Sequence, residues 1–258
     1  MISFRRQNYP VFEAARIGFQ PLYAIGDVHG CYDLLRALLT EIARDSTERQ
    51  ANVTPLLILL GDYVDRGPAS KSVLDALIWL SRSAAIEVRL LEGNHEAMLL
   101  GFIEDPIKHG RWLSLGGTAT LQSYGVHVLD EEHSDGVLTQ LRDELLDKMP
   151  ASHYQLLRSL ELMVEVNGFA FVHAGVLPGV ALKDQTRDDM LWIRDEFLNH
   201  PKPSKSVIVH GHTWKSDQAV VLPHRVGIDT GAYETGVLTA ILMHNGIVET
   251  IQAVKHVA

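Results

Sequence analysis

Three apolar runs alternate with two amphipathic stretches in the first hundred residues, and this alternation constrains the fold more than any other feature of the sequence. The apolar runs at residues 22–25, 56–60 and 86–91 have the length of strands. Between them, residues 32–44 and 70–82 place their leucine, isoleucine and valine side chains at helical spacing. Strand, helix, strand, helix, strand is the order of a parallel sheet with right-handed crossovers. The sequence therefore predicts an α/β fold.

Polar side chains follow each predicted strand at the point where the strand ends. The first three strands lead into GD at 26–27, GDYVDRG at 61–67 and GNHE at 93–96. Two later apolar runs lead into HAG at 173–175 and HGHT at 210–213. Ligands of such sheets bind outside the carboxyl ends of the strands, so we expect these five segments to converge on one site.

Composition excludes several classes of partner. The formal net charge of −9, without a Lys/Arg-rich run, speaks against binding to nucleic acid or to an anionic membrane. The apolar runs are shorter than a membrane span, and residues 1–19 lack the apolar stretch of a signal peptide. Cys31 is the single cysteine, so an intrachain disulfide is excluded and a reducing compartment is favoured. We expect a cytoplasmic protein.

The rest of the chain divides into a helical part and a strand-rich part. Residues 105–165 predict a mainly helical insertion over one edge of the site. After it, short strands with Asn-Gly turns at 167–168 and 245–246 suggest a second, more antiparallel sheet packed on the first. No repeat and no linker is visible, so we expect a single domain over residues 1–258.

The residue types in the five segments suit a metal site. Carboxylate, imidazole and amide ligands favour manganese, iron or zinc over calcium. Each segment alone has an ordinary explanation, because Gly-Asp after a strand is usually a turn. A lone histidine in an apolar strand, such as His173, is more often a hydrogen-bonded core residue. The coincidence of five such segments at strand ends favours the metal hypothesis.

The same segments resemble the motif set of a known family. The motifs are GDVHG (26–30), GDYVDRG (61–67), GNHE (93–96), HAG (173–175) and GHT (211–213). In this order they resemble the PPP-type metallophosphoesterases, which include serine/threonine protein phosphatases and symmetrical diadenosine tetraphosphate hydrolases. The resemblance implies a calcineurin-like metallophosphoesterase fold, in which two packed mixed β-sheets are flanked by helices in four layers, α/β/β/α.

The resemblance also implies a centre of two divalent metal ions, with manganese expected and iron or zinc as alternatives. Asp27 and His29 would hold the first ion, and Asp62 would bridge both. The residues implied to complete the second ion's site are Asn94, His173 and His212. His210 precedes the last motif and would either support the ligands from behind or be structural. Trp214 stands where the wider superfamily has a second metal-binding histidine.

The implied mechanism is in-line attack on phosphorus by a hydroxide that bridges the two ions, without a phospho-enzyme. His95 would protonate the leaving group, and Asp65 would orient it. Arg66 and Arg194 would bind the phosphate. For Arg194, the alternative is a surface arginine paired with Asp195 or Glu196. Asp229 and Tyr233 could lie near the site or form a turn.

The substrate is predicted from the resemblance alone. Asp65 and Glu96 favour a serine/threonine protein phosphatase, because the tetraphosphate hydrolases usually lack the aspartate at position 65 and carry GNHD in place of GNHE. A dual-specificity phosphatase would also accept phosphotyrosine. The alternative is a symmetrical diadenosine tetraphosphate hydrolase, which the short chain and the segment GCYD at 30–33 favour. The expected partner is a phosphorylated protein or a small phosphoester. A catalytically inactive scaffold is disfavoured, since no predicted ligand is lost.

Overall fold

The computed structural model describes residues 1–10, 18, 20–50, 53–83, 85–128 and 134–256. The strands among them are β1 (Ile2–Tyr9), β2 (Leu22–Ile25), β3 (Leu56–Leu59), β4 (Glu87–Leu90), β5 (Met163–Val166), β6 (Phe169–Val172), β7 (Val207–His210), β8 (Val220–Leu222), β9 (Arg225–Gly227), β10 (Val237–His244) and β11 (Ile247–Lys255). The α-helices are α1 (Tyr32–Gln50), α2 (Ser70–Ser81), α3 (Asn94–Glu104), α4 (Pro106–His109), α5 (Gly117–Ser123), α6 (Asp135–Lys148), α7 (Ala151–Arg158), α8 (Arg187–Trp192), α9 (Asp195–Leu198) and α10 (Ala232–Thr235). Two 3₁₀ turns cover Gly110–Leu115 and Leu182–Asp184.

The first sheet has the order β1-β11-β10-β2-β3-β4. Strands β2, β3 and β4 are parallel, as the sequence predicts, and Leu22 of β2 lies beside Leu56 of β3. The residues of β2 alternate between two cores. Tyr23 and Ile25 face the helical side, whereas Leu22 and Ala24 face the second sheet. Because both faces are covered, the strand is apolar throughout.

The second sheet has the order β5-β6-β7-β9-β8, with β6, β7 and β9 parallel and the two outer strands antiparallel. Its inner face packs on the first sheet through side chains such as Phe171 and Val209. Its outer face packs through Val172 and Ile208 on Met190 of α8 and on Phe197 of α9. The predicted four layers, α/β/β/α, are therefore confirmed.

The last hairpin does not belong to the second sheet, and that prediction is wrong. Strand β10 pairs antiparallel with β2 of the first sheet, and β11 lies on its other side. All eight residues of β10 are buried, so it needs a partner on each edge. It also covers the edge of β2 that the parallel unit leaves open. The Asn-Gly turns are confirmed, since Asn167 and Asn245 have φ of 56° and 46°.

Strand β1 is absent from the sequence prediction, because it alternates poorly and is mostly exposed. It forms the edge of the first sheet against β11. Its Arg6 guanidinium binds the carboxylates of Glu41, Asp45 and Glu249, which ties the edge to α1. The remainder of the stretch considered for a signal peptide includes residues 11–17 and 19, which lie outside the described residues.

The stretch 105–165 contains α4 to α7, and its residues 129–133 lie outside the described residues. Helices α5 and α6 pack on the same core as α1 and α2 through side chains that include Leu121 and Leu145, and Trp112 of the 3₁₀ turn Gly110–Leu115 joins that core. In the described part of the chain, every helix is too short or too polar to span a bilayer.

Candidate metal centre

The predicted ligands lie directly beyond the carboxyl ends of their strands, where the sheet topology brings them together. Asp27 and His29 follow β2, Asp62 follows β3, Asn94 follows β4, His173 follows β6, and His212 follows β7. All six are buried. The two sheets thus contribute to one site from facing strand ends, which explains how residues separated by up to 185 positions come into contact.

Asp62 lies at the centre of the cluster. Its Oδ2 is 3.4 Å from His29 Nε2, and its Oδ1 is 3.4 Å from His173 Nε2. The two carboxylate oxygens therefore face different histidines. This is the arrangement that a bridging ligand requires, and the bridging role itself remains a prediction.

Asn94 joins the two histidines of the second predicted set. Its Oδ1 is 2.9 Å from His173 Nε2 and 2.9 Å from His212 Nδ1. The Nε2 atom of His212 is buried and has no hydrogen-bond partner among the described residues. Buried polar atoms are almost always satisfied, so an unsatisfied ring nitrogen here is what a metal ligand would show. Asp62, His173 and His212 form one group that could hold an ion, and His29, Asp62 and His95 form another.

The electrostatics of the cluster favour the ligand forms of these side chains. Burial lowers the pKa of His29 to about 3 and that of His212 to about 2, and it also lowers the pKa of His173. Neutral imidazole is the form that binds metal. Burial opposes the ionisation of Asp62, but the surrounding histidines, His173 foremost, hold its pKa below the ordinary value. The donor set therefore fits divalent cations.

Asp27 contacts the cluster of predicted ligands through the backbone of His212. Its Oδ2 accepts the backbone N–H of His212 at 3.0 Å, and its carboxyl group also contacts that of Asp229. Burial and the neighbouring carboxylates of Asp229 and Asp62 raise the pKa of Asp27 well above its ordinary value. Three carboxyl groups so close together favour a cation between them.

Behind the ligands, His95 and Asp65 form the predicted pair. His95 Nδ1 is 2.7 Å from Asp65 Oδ2, and its Nε2 faces the pocket, 4.0 Å from Asp62 Oδ2. Burial disfavours the imidazolium, but the carboxylates of Asp62 and Asp65 outweigh it and raise the pKa of His95. The geometry suits an imidazole that keeps a proton on the atom facing the pocket.

The predicted phosphate-binding arginines both line the pocket, which is a polar cavity of about 170 Å³. Arg66 Nη2 is 3.5 Å from His95 Nε2, and its Nη1 donates to the hydroxyl of Tyr233. Arg194 Nη1 is 3.4 Å from Thr213 Oγ1. Both guanidinium groups therefore lie at the pocket, and their binding of phosphate stays a prediction.

Two residues that the sequence left open, Asp229 and Tyr233, also line the pocket, together with Trp214. Tyr233 stacks edge-on against His29 at 5.2 Å between ring centroids. The signal in the sequence is position, because Asp229 comes two residues after β9, just as the predicted ligands come shortly after their strands. His210, by contrast, is buried with its Nδ1 3.0 Å from the carbonyl of Gly211, which agrees with a structural role.

The backbone around these ligands is unusual. His29, Asp62, Asp65, Arg66 and His212 all adopt positive φ, between 43° and 72°. Non-glycine residues rarely do so, and such conformations persist at functional sites where the surroundings hold them in place.

Glu96 supplies much of that support. Its fully buried carboxylate accepts the backbone N–H groups of Asp62, Tyr63, Val64 and Gly93, at 2.8, 2.7, 3.2 and 3.0 Å. Glu96 therefore holds the loop after β3 from behind and does not line the pocket.

Residues 20–224 match the calcineurin-like phosphoesterase family. Among curated relatives, the symmetrical bis(5'-nucleosyl)-tetraphosphatase of Nitrosospira multiformis is 33% identical over 162 residues, which are 63% of this chain and 46% of that protein. Serine/threonine-protein phosphatase 2 of Salmonella typhimurium is 29% identical over 233 residues, which are 86% of this chain and 92% of that protein. A crystal structure of a protein provisionally assigned as a diadenosine tetraphosphatase has a TM-score of 0.60 at 21% identity, covering 92% of this chain and 97% of its own, and shows the shared fold.

Tetraphosphatases from several further bacteria are also similar, with identities of 31% to 46%. The alignments cover 24% to 46% of their lengths, so this chain spans less than half of each of these four curated tetraphosphatases. Taken together, these relatives support the alternative hypothesis of a tetraphosphatase more strongly than the main hypothesis of a protein phosphatase.

Proposed function

The chain belongs to the calcineurin-like phosphoesterase family, and on that premise we propose that it hydrolyses symmetrical dinucleoside tetraphosphates to two nucleoside diphosphates. As a metallophosphoesterase it acts on phosphoesters or phosphoanhydrides with the help of divalent cations, for which we propose manganese, with iron or zinc as alternatives. Manganese accepts the mixed carboxylate, imidazole and amide set of Asp62, His173 and Asn94.

The observation that carries this substrate is an exposed indole beside the predicted ligand His212. Trp192 is 44% exposed, and its ring centroid lies 6.4 Å from that of His212. Trp214 and Tyr233 add two further aromatic rings, which line the pocket itself. A base stacked on an aromatic side chain contributes about 1–3 kcal/mol. A nucleotide whose phosphates lie between Arg66 and Arg194 could use such a ring, whereas a phosphoserine has no base to stack.

The two residues that favoured a protein phosphatase do not weigh against this. Glu96 and Asp65 are both fully buried and lie outside the pocket lining. Glu96 holds a backbone loop, and Asp65 contacts His95. Neither can touch a substrate, so they carry little information about what lies beyond the phosphate.

Within this proposal, the chain's own residues orient the phosphates and move a proton. Asp27, His29, Asp62, Asn94, His173 and His212 would hold the ions. Two divalent cations, when bound, neutralise phosphoryl oxygens and promote ionisation of the attacking water. Arg66 and Arg194 each present a planar fork that matches phosphate oxygens.

The bond that breaks joins a central phosphorus to the bridging oxygen. The oxygen of water bonds to that phosphorus, and the leaving diphosphate oxygen takes a proton from His95 Nε2. A proton from the water restores His95. Because His95 Nδ1 is engaged by Asp65, the proton to be transferred sits on the nitrogen that faces the pocket. General acid catalysis of this kind is typically worth about 10²–10⁴-fold in rate.

The test compares diadenosine tetraphosphate with a phosphoserine peptide as substrates of the manganese-loaded protein. We expect a kcat/KM at least tenfold higher on the dinucleotide, with ADP as the product. A control protein with Asp62→Asn should lose both activities, which excludes a contaminating phosphatase. A clear preference for the peptide would overturn the proposed substrate and favour a serine/threonine phosphatase. That second candidate is supported by the Salmonella phosphatase, which aligns over nearly its whole length.

A further inference from the structure

We propose that Trp112 and Thr120, which belong to the helical segment between β4 and β5, position His95 for proton transfer by fixing the carboxylate of Asp65. This inference rests on the proposed acid role of His95. It assigns a function to a segment that none of the five motifs includes.

The contacts of Asp65 carry the proposal. Its Oδ2 accepts the indole N–H of Trp112 at 2.7 Å, in addition to the bond with His95 Nδ1. Its Oδ1 accepts the hydroxyl of Thr120 at 2.6 Å. The same hydroxyl accepts the backbone N–H of Asp65 at 2.8 Å, and the Ser70 hydroxyl accepts it at 3.1 Å. Both carboxylate oxygens are therefore anchored by the helical segment, and only one of them also meets His95.

Anchoring matters because the carboxylate is fully buried and would otherwise be free to turn about its side-chain torsions. A single bond to His95 would leave both groups able to move together. Two additional donors at fixed positions remove that freedom. The imidazole can then keep its Nε2 directed at the pocket. In metal sites, a hydrogen-bond partner on the other ring nitrogen fixes the orientation of a histidine in the same way.

The segment is built to bring the indole to this position. Trp112 packs on Phe102 of α3 at 4.9 Å between ring centroids, and α3 is the helix that begins with Asn94 and His95. The chain then turns back at Gly116, whose φ is 120° and whose carbonyl accepts the backbone N–H of Arg66 at 3.1 Å. A side chain on Gly117 would meet the indole ring at 2.4 Å. The glycine pair is therefore what lets the ring close over Asp65.

An ordinary explanation exists, since a buried indole N–H needs some acceptor and Asp65 could merely satisfy it. The two explanations differ in what they predict for catalysis. A structural role would reduce stability and lower all rates alike. A positioning role would reduce kcat most where the leaving group depends on protonation.

The variants Trp112→Phe and Thr120→Val keep ring packing and side-chain shape while removing the donor. On phenyl phosphate, whose leaving group needs a proton, we expect kcat to fall about tenfold, as for the loss of one hydrogen bond to a charged group. KM and bound manganese should stay within about twofold. On p-nitrophenyl phosphate, which needs little protonation, the fall should be about threefold or less. The matched control is Tyr124→Phe, which removes a buried hydroxyl bonded to His153 Nδ1 at 2.6 Å in the same segment without touching Asp65.

A double-mutant cycle separates action through His95 from general damage. In a His95→Asn background, Trp112→Phe should change the residual rate less than about twofold. An equal loss in both backgrounds, or an equal loss on both esters, would overturn the proposal. A crystal structure of Trp112→Phe adds a readout that needs no activity. We expect the distance from His95 Nδ1 to Asp65 Oδ2 to exceed about 3.5 Å. An unchanged distance refutes the positioning proposal whether or not the wild-type protein is active. A wild-type protein that hydrolyses neither ester would separately refute the proposed function.

Discussion

Replacing Glu96 by glutamine should destabilise the protein far more than a single amide substitution usually does. The glutamate carboxylate accepts four backbone N–H groups, two on each oxygen. A glutamine has only one acceptor oxygen, so it can keep one pair of these bonds. Its NH₂ group would then point at the other two N–H donors, which are buried and make no other hydrogen bond within the described part of the chain.

The loss of folding free energy can be estimated from the two N–H donors that lose their acceptor. A buried donor left without a partner costs about 1–3 kcal/mol, so two of them cost about 2–6 kcal/mol. The total stability of a domain is about 5–15 kcal/mol, so this loss is a large fraction. For a chain of this size, Tm falls by roughly 2–4 °C per kcal/mol, which gives a decrease of about 4–24 °C. The loop also holds Asp62 at a φ of 51°, and releasing it should weaken metal binding.

The measurement is thermal unfolding followed by circular dichroism, with and without manganese. Glu104→Gln provides the matched control, because it is the same substitution on the same helix. Its partner Arg158 is 3.5 Å away and both side chains are exposed, so the control should shift Tm by less than about 2 °C. If Glu96→Gln were as stable as the control, the loop would not depend on this carboxylate, and the assignment of Glu96 to support would be wrong.

Three further variants and one addition test the centre itself. Asp62→Asn should abolish turnover and lower the manganese bound per chain, measured by elemental analysis after dialysis, because one oxygen of the central carboxylate is lost. His95→Asn should retain manganese and lose about 10²-fold or more on unactivated esters, but much less on p-nitrophenyl phosphate. Trp192→Ala should raise KM for diadenosine tetraphosphate about tenfold, as expected for the loss of one base stack, and leave p-nitrophenyl phosphate kinetics unchanged. Manganese at about 100 times its Kd should stabilise the folded protein by about 2.7 kcal/mol, measured by urea unfolding.

The parts of the fold that the sequence predicted are those determined locally. Strand β2 carries a continuous apolar run, and its bounds agree with the run at 22–25 that the sequence predicts. The partners of β10 were predicted wrongly, because periodicity shows that a strand is buried but not which sheet buries it. Strand β1 was missed because its polar side chains are held by ion pairs with residues more than thirty positions away.

The candidate site divides in the same way. Residues such as Asp62 and His173 follow apolar strands, so their convergence could be predicted from topology. Trp112 and Thr120 could not, because nothing in a helical pattern indicates that an indole N–H or a hydroxyl reaches a carboxylate some fifty residues earlier. Contacts of that kind depend on tertiary packing.

The motifs alone do not identify the substrate, because their distinguishing side chains do not line the pocket. The motif side chains that separate the two candidate functions, Asp65 and Glu96, lie behind the ligands and act on other protein groups. Under the proposed function, substrates are distinguished by side chains that reach past the phosphate. The candidates are the aromatic rings of Trp214 and Tyr233, which line the pocket, and of Trp192, whose ring centroid lies 6.4 Å from that of His212. A change of substrate within the family should therefore replace these aromatic side chains and leave the arrangement around Asp62 intact.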